Sequence, residues 1–249
     1  MANTANVFSV LNPEHTGPFF FTAEHASNAL PCHHTESDQQ FLNTHWAIDI
    51  GIADLLQKLC FGLSCCGIQT EFSRLWIDAN RAPTQEGLIK EEIYSIPLSF
   101  NQNLSSEDID FRKDHFHRAY HEMISQLIQA HPIPPLLVSL HSFTPIWNDH
   151  IRTMDIGVLF DRDEEIAHIL ANILQEDGFF VALNKPYSGK NGLIYSADRH
   201  GTEQNIPYVE FEFNQSILCT EERISFVAAR IIHALQTLHR NYPAFFSRG

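Results

Sequence analysis

The stretch PFFFTAEH, Pro18 to His25, carries the first strong signal of a fold in this sequence. Its short apolar run ends in polar residues, which predicts a buried strand that delivers its last side chains to the edge of a sheet. After a polar loop, the segment Trp46 to Leu59 has the apolar periodicity of an amphipathic helix. The order strand, loop, helix is typical of an α/β protein.

The rest of the chain repeats this alternation. Apolar runs predict strands and amphipathic periodicities predict helices, in the order strand 67–78, helix 105–131, strand 132–143, strand 154–161, helix 163–177, strand 206–214 and helix 220–239. We therefore expect one α/β domain over residues 1–249, with a mixed, mostly parallel sheet flanked by helices. In such sheets, ligands bind at the carboxyl ends of the strands.

Composition excludes several functional classes. The formal net charge of −14 argues against a nucleic-acid surface, which needs a basic patch. No apolar stretch approaches the roughly 18 residues that a membrane span requires. The segment MANTANVFSVLNPEH (1–15) lacks the features of a secretory signal, and five cysteines without a CxxC pair indicate reduced thiols. These features predict a cytoplasmic protein, and they carry no signal for its oligomeric state.

Three of the apolar runs carry groups useful to a metal hydrolase at or near their ends. These groups are Glu24-His25, His141-Ser142 and Glu212. A hydrolytic zinc commonly takes two histidines and one carboxylate, and a separate carboxylate moves the proton of the attacking water. The spacing alone also fits histidines that cap strands or make buried hydrogen bonds, and a glutamate that faces outward from its strand.

Seven short motifs follow one another between about residues 18 and 218. They are AEHASNALP (23–31), HWAIDIGIADL (45–55), SRLWIDANR (73–81), SLHSFTP (139–145), NKPYSG (184–189), RHG (199–201) and VEFEFNQ (209–215). In this order they resemble the N-formylglutamate amidohydrolase family and, more distantly, the zinc carboxypeptidases. The resemblance implies a carboxypeptidase or phosphorylase-hydrolase-like architecture and a zinc-dependent hydrolase. Its expected substrate is N-formyl-L-glutamate or another small, anionic N-acyl amino acid.

The resemblance also implies roles for individual residues. His25 and His141 take the places of zinc ligands, and Glu212 takes the place of the general base or acid. The pair Asn80-Arg81 matches a DxNR turn that holds the α-carboxylate of the substrate, which a guanidinium can bind through two parallel bonds. Asp78, the first residue of that turn, could orient the guanidinium.

The resemblance indicates two further residues near the substrate. Arg74 could serve a second substrate carboxylate or polarise the scissile carbonyl. His200, in the RHG motif, matches a family position near the substrate.

The third metal ligand departs from the carboxypeptidase pattern. That pattern is HxxE, whereas this sequence has Asn28 three residues after His25, and an amide oxygen is a poor ligand for zinc. We expect Asp49 to be the third ligand, in the first turns of a helix that starts near Thr44. Glu24 and Asn28 are the alternatives.

Two other interpretations stay open at this point. His117 and His121 stand four residues apart on a predicted helix, where they could share a metal or form a structural pair. For the whole chain, the alternatives are a peptidase or amidase with another substrate, and a non-catalytic binding protein that has lost a competent metal site.

Overall fold

The computed structural model describes residues 6–246. Residues 1–5 of the N-terminal segment and 247–249 of the predicted domain lie outside this range. The centre of the structure is a seven-stranded sheet with the order β1-β3-β2-β6-β11-β9-β10. Its strands are β1 (Phe8–Thr16), β2 (Phe19–Ala23), β3 (Cys65–Thr70), β6 (Leu136–Phe143), β9 (Ile156–Leu159), β10 (Val181–Leu183) and β11 (Tyr208–Asn214). Two small hairpins lie outside the sheet, β4 (Glu92–Ile93) with β5 (Ile96–Pro97), and β7 (Ile146–Trp147) with β8 (His150–Ile151).

Most neighbouring strands in this sheet are parallel. Strands β3, β2, β6 and β11 run in one direction, and β10 is parallel to β9. The exceptions are β1 beside β3 and β9 beside β11, which are antiparallel pairs. The predicted α/β class with a mixed, mostly parallel sheet is therefore confirmed.

Helices cover both faces of the sheet. They are α1 (Glu36–Leu42), α2 (Ile52–Leu63), α3 (Ser106–Arg112), α4 (Ala119–Gln129), α5 (Glu164–Glu176), α6 (Tyr195–Glu203) and α7 (Glu221–Asn241), with a π-helical segment (Lys113–Arg118) between α3 and α4. Ser105 and Asp108 form a capping box at the start of α3. Within residues 6–246, no helix combines the length and the apolar character needed to cross a bilayer.

The central strands place apolar side chains on both faces but polar ones near their carboxyl ends. On one face, Val209, Phe211 and Phe213 of β11 join a core formed with α2, α5 and α7. On the other face, Glu210 and Glu212 of the same strand are 1% and 5% exposed. The alternation along β11 is as predicted, and the alternative in which these glutamates face solvent is wrong.

The helix that contains Leu55 and Leu59 begins later than the sequence predicts. It starts at Ile52 rather than near Thr44, after Gly51 adopts a positive φ of 82°. Asp49 therefore precedes the helix instead of lying in its first turns. Its backbone N–H donates to the carbonyl of His25 at 2.9 Å, which holds the loop against the end of β2.

Besides the two small hairpins and the short 3₁₀ segments, four elements of the structure were not predicted from the sequence. They are β1, α1, β10 and α6. Each is an edge strand or a short helix, so its burial pattern is weak and its position depends on contacts with distant parts of the chain.

Candidate active site

A cavity of about 290 Å³ opens at the carboxyl ends of β2, β6 and β11. The charged and histidine side chains on its walls are His25, His45, Asp49, Arg74, Asp78, Arg81, Lys90, His141 and Glu212. Asn80 also lines it, so every residue predicted for the site except His200 is at the cavity. A concave site with several converging polar groups is typical of small-molecule binding.

Three buried side chains bring possible metal-ligand atoms close together. They belong to His25, Asp49 and His141. One such atom from each lies within 4.8 Å of the other two. His141 Nδ1 lies 2.9 Å from Asp49 Oδ2, and His25 Nδ1 lies 3.4 Å from the same oxygen. Two imidazole nitrogens and a carboxylate oxygen form a donor set that zinc takes in hydrolytic sites.

The hydrogen bonds of His25 leave one ring nitrogen available to a metal ion. Nε2 donates to Asp78 Oδ1 at 2.7 Å, because a carboxylate oxygen accepts. Nδ1 is buried and has no hydrogen-bond partner among the described residues. A buried polar atom without a partner is costly, and coordination of a metal would remove that cost. The residues present therefore fit a zinc ion.

Carboxylates flank both ring nitrogens of His141. Nδ1 faces Asp49, and Nε2 lies 3.2 Å from Glu24 Oε2. Although burial disfavours the charged ring, the charge of Glu210 and the hydrogen bonds to Asp49 and Glu24 raise the pKa of His141 well above its usual value. Burial also opposes ionisation of Glu24, but its hydrogen bond with His141 lowers the pKa of Glu24 to about 2. Glu24 is thus an ionised carboxylate that orients His141 from the side away from Asp49.

This arrangement separates the three candidates for the third ligand. Asp49 Oδ2 faces both histidines and is fixed by the backbone N–H of Ser142, which donates to it at 3.1 Å. Glu24 instead contacts the far nitrogen of His141. Asn28 Nδ2 donates to the carbonyl of Leu42 at 3.0 Å and to Asn43 at 2.9 Å. The geometry favours Asp49 as the third ligand. The sequence predicted this role from a position in the first turns of a helix, whereas Asp49 lies in the loop before α2.

The carboxylate of Glu212 faces the cavity from β11, directly beside His141 of β6 in the parallel register. Its Oε2 is buried and has no hydrogen-bond partner among the described residues. Burial raises the pKa of Glu212 well above its usual value, and the charges of Asp49 and Glu210 add to this effect. Burial likewise raises the pKa of Glu210 to about 7, but this side chain does not line the cavity.

The DxNR turn places two guanidinium groups around one carboxylate. Asp78 Oδ2 lies 2.8 Å from a terminal nitrogen of Arg74 and 3.3 Å from Nε of Arg81. Arg74 also lies 3.6 Å from Asp49. Burial raises the pKa of Asp78, but the charges of Arg74 and His25 outweigh this effect and keep the pKa well below its usual range. Asp78 therefore connects the candidate metal ligand His25 to both cavity arginines.

The backbone of the same turn is fixed by the two histidines four residues apart. His117 Nε2 donates to the carbonyl of Arg81 at 2.8 Å, and His121 Nε2 donates to the carbonyl of Ala79 at 2.9 Å. Asn80, between them, accepts from the backbone N–H of Ser196 at 2.9 Å. The contacts favour the structural interpretation of this pair, because both rings hold the turn that carries Asn80 and Arg81.

His200 does not line the cavity. It is fully buried, and its Nε2 lies 2.8 Å from Nδ1 of His121. Burial, together with the nearby charge of Arg199, lowers the pKa of His200 to about 3, so the ring is neutral. This position behind the turn argues against the predicted contact between His200 and a substrate.

Several residues on the cavity walls were not predicted from the sequence. They are Trp46, Lys90, Trp147 and Tyr187. Trp46 and Tyr187 fall inside two of the quoted motifs, so the motifs themselves were a signal for them. Lys90 lies in a loop and Trp147 in the small hairpin β7-β8, both outside every motif, and only the folded chain brings them to the cavity.

Comparison with known families gives one extended match. The profile of the family described as N-formylglutamate amidohydrolase matches residues 17–219 of this chain. The comparison with curated proteins gives no significant match.

Solved structures include one with the same fold. The gene product Atu2144 from Agrobacterium tumefaciens has 23% sequence identity and a TM-score of 0.82, over 94% of this chain and 96% of that chain. The amidase AmiC2 of Nostoc punctiforme, an N-acetylmuramoyl-L-alanine amidase, has 10% identity and a TM-score of 0.43, over 89% and 97% of the two chains. A metallo-carboxypeptidase from Burkholderia cenocepacia has 8% identity and a TM-score of 0.41, over 96% and 66%.

The position of Glu24 behind His141 leads to a test of metal binding. Ser139 Oγ donates to Glu24 Oε2 at 3.0 Å, so the side chain is fixed where it can orient the imidazole. We expect Glu24→Gln to weaken zinc affinity by about 10- to 100-fold, because such orienting partners contribute that much elsewhere. Competition with a chromogenic chelator measures the affinity.

The control for this variant is Glu107→Gln, at an exposed position in the first turn of α3. It should bind zinc as the wild-type protein does. Equal zinc affinity of the Glu24→Gln and control proteins would contradict the orienting role of Glu24.

Proposed function

Because this chain belongs to the N-formylglutamate amidohydrolase family, we propose that it is a zinc-dependent enzyme that hydrolyses the amide bond of N-formyl-L-glutamate or a closely related small N-acyl amino acid. That the chain is an amidohydrolase follows from the family itself. We propose in addition that the metal is zinc, that the substrate is an N-acyl amino acid of this kind, and that single residues have the roles given below. The products would be formate, or another small acid, and the free amino acid.

One observation carries this proposal. The ligand atoms of His25, Asp49 and His141 converge at the cavity that Glu212 and Arg81 also line. A metal hydrolase needs a ligand set, a separate carboxylate for proton transfer and a cation for an anionic substrate. Residues suited to all three tasks line one small cavity at the carboxyl ends of the central strands, which supports the proposal.

The residues divide the chemistry between them. His25, Asp49 and His141 would hold a zinc ion, which acts as a Lewis acid and makes a water molecule a better nucleophile. Glu212 takes a proton from the attacking water and gives it to the nitrogen of the departing amino acid. Its position supports this role, since among the described residues of the cavity it is a carboxylate whose buried Oε2 has no hydrogen-bond partner. General acid and base transfer of this kind commonly accelerates a reaction about 10²- to 10⁴-fold.

Arg81 binds the α-carboxylate of the substrate. Its Nε faces Asp78, and one terminal nitrogen donates to the carbonyl of Glu86 at 3.0 Å. These contacts fix the plane of the guanidinium while it lines the cavity. A guanidinium held in this way loses little further freedom when it binds a carboxylate, so it positions the amide bond relative to Glu212.

The first test is turnover with and without metal. We expect the zinc-loaded protein to release formate from N-formyl-L-glutamate. Removal of zinc by a chelator should reduce the rate by at least about 100-fold, because loss of Lewis-acid assistance removes several kcal/mol of transition-state stabilisation. Zinc should restore the rate. If the fully loaded protein hydrolyses no N-acyl amino acid, the proposed function is wrong and a non-catalytic binding role is favoured.

A second test isolates the proton-transfer step. Glu212→Gln keeps the size of the side chain but removes its ability to accept a proton, so kcat should fall by about 10²- to 10⁴-fold. Zinc content, measured by mass spectrometry, should stay at the wild-type value because Glu212 is not a proposed ligand. Near-normal kcat in this variant would exclude Glu212 from the reaction.

A third test concerns the α-carboxylate. Arg81→Lys retains the charge but loses the planar pair of donors, so KM for N-formyl-L-glutamate should rise by about 10-fold or more. The matched control is N-formyl-L-glutamate α-amide, for which the wild-type and Arg81→Lys proteins should have similar KM values. An equal rise of KM for both compounds would show that Arg81 acts on something other than the α-carboxylate.

A further inference from the structure

Lys90 differs from the other two cations on the cavity walls because it lacks a carboxylate partner. Arg74 lies within ion-pair distance of Asp78 and Asp49, and Arg81 within that distance of Asp78. Among the described residues, no carboxylate lies within 4.0 Å of the Lys90 ammonium. The positive charge at this wall of the cavity is therefore not compensated by the protein.

The Lys90 ammonium lies on an aromatic wall. It is 5.4 Å from the ring centroid of Trp46. The Trp46 ring in turn packs against Tyr94 and Trp147, with centroid distances of 5.5 and 5.8 Å. Such contact attracts a cation weakly and keeps its apolar stem on the ring, while the ammonium remains able to bind an anion. The wall therefore holds the amine in place without neutralising it.

The backbone of Lys90 is fixed as well. Asn101 Nδ2 donates to the carbonyl of Lys90 at 2.6 Å, and the Asn101 side chain is buried. A ligand that binds the ammonium consequently has to order one side chain and not a whole loop, which reduces the entropic cost of binding.

An ammonium on the cavity wall that lacks a carboxylate partner favours a ligand group that is negatively charged and rich in acceptors, as a carboxylate is.

From this wall we propose that Lys90, supported by Trp46, binds a carboxylate at the end of the substrate's amino-acid side chain. The inference rests on the proposed function and adds the residue that selects the side chain. Arg81 would bind the α-carboxylate and Lys90 the second one, which makes Lys90 the residue that distinguishes an acidic side chain from a neutral one. Arg74, which the sequence suggested for a second carboxylate, already faces two protein carboxylates.

The test compares N-formyl-L-glutamate with N-formyl-L-glutamine, which has a neutral side chain of nearly the same shape. Binding to the zinc-loaded protein is measured by calorimetry, and hydrolysis is measured as kcat/KM. Wild-type protein should prefer the glutamate compound by at least about 10-fold in both measurements, since a charge-assisted contact is lost with glutamine. Lys90→Met should abolish that preference by weakening the glutamate compound while leaving the glutamine compound within about twofold.

Two controls accompany the variant. Lys58→Met removes a lysine on α2 that pairs with Glu221 and does not line the cavity, and it should keep the full preference. Lys90→Arg should restore part of the preference because it restores the charge. Comparing two ligands on one protein also separates loss of selectivity from partial unfolding, which would weaken both ligands equally.

The outcomes distinguish the inference from the function on which it rests. If Lys90→Met hydrolyses both compounds with the wild-type preference, Lys90 is not the selecting residue while the amidohydrolase activity stands. If no compound is hydrolysed but wild-type protein binds the glutamate compound in a Lys90-dependent manner, the subsite stands and the proposed activity does not. Absence of both binding and hydrolysis would overturn the two together.

Discussion

The parallel pairing of β2, β6 and β11 is the constraint on which the site depends. Because the three strands run in one direction, their carboxyl ends meet at one edge of the sheet. The register places Glu212 beside His141, and His25 follows the end of β2. Side chains alternate between the faces of a strand, so a shift of one residue in β11 would place Phe211 or Phe213 at the cavity and turn Glu212 into the apolar core.

Several carboxylates are buried at that edge of the sheet, and their negative charges need compensation. The buried acidic side chains there are Glu24, Asp49, Asp78, Glu210 and Glu212. Two arginines, Arg74 and Arg81, face them, and an unpaired buried charge is strongly unfavourable. The pKa values of His141 and Glu212 are both raised, so these two side chains hold protons more tightly and the negative charge is partly compensated. A divalent cation could supply the same compensation and release protons as it binds, which supports the proposal of zinc.

The sequence predicted what local pattern determines and missed what distant contacts determine. Strands β2, β6 and β11 are apolar enough to be recognised alone, and His25, His141 and Glu212 stand out because they follow or end those runs. The predicted start of α2 was wrong because the apolar periodicity continues back through Ile48. In the structure, the hydrogen bond from the Asp49 N–H to the carbonyl of His25 holds that segment in a loop. Lys90 and Trp147 could not be predicted, since the loop of Lys90 and the hairpin of Trp147 are placed by contacts with Asn101 and Trp46.

The substitution of Asn28 for the carboxypeptidase glutamate is explained by the same loop. A carboxylate at this position could accept hydrogen bonds, but it could not donate to the carbonyl of Leu42 as the Asn28 amide does. That bond ties the residues after β2 to the end of α1, and the chain then continues to Asp49. The negative charge missing from position 28 is thus present at Asp49, whose Oδ2 lies near both histidines. A metal site that uses Asp49 would need no glutamate at position 28, so the loss of the HxxE motif does not by itself imply the loss of a metal site.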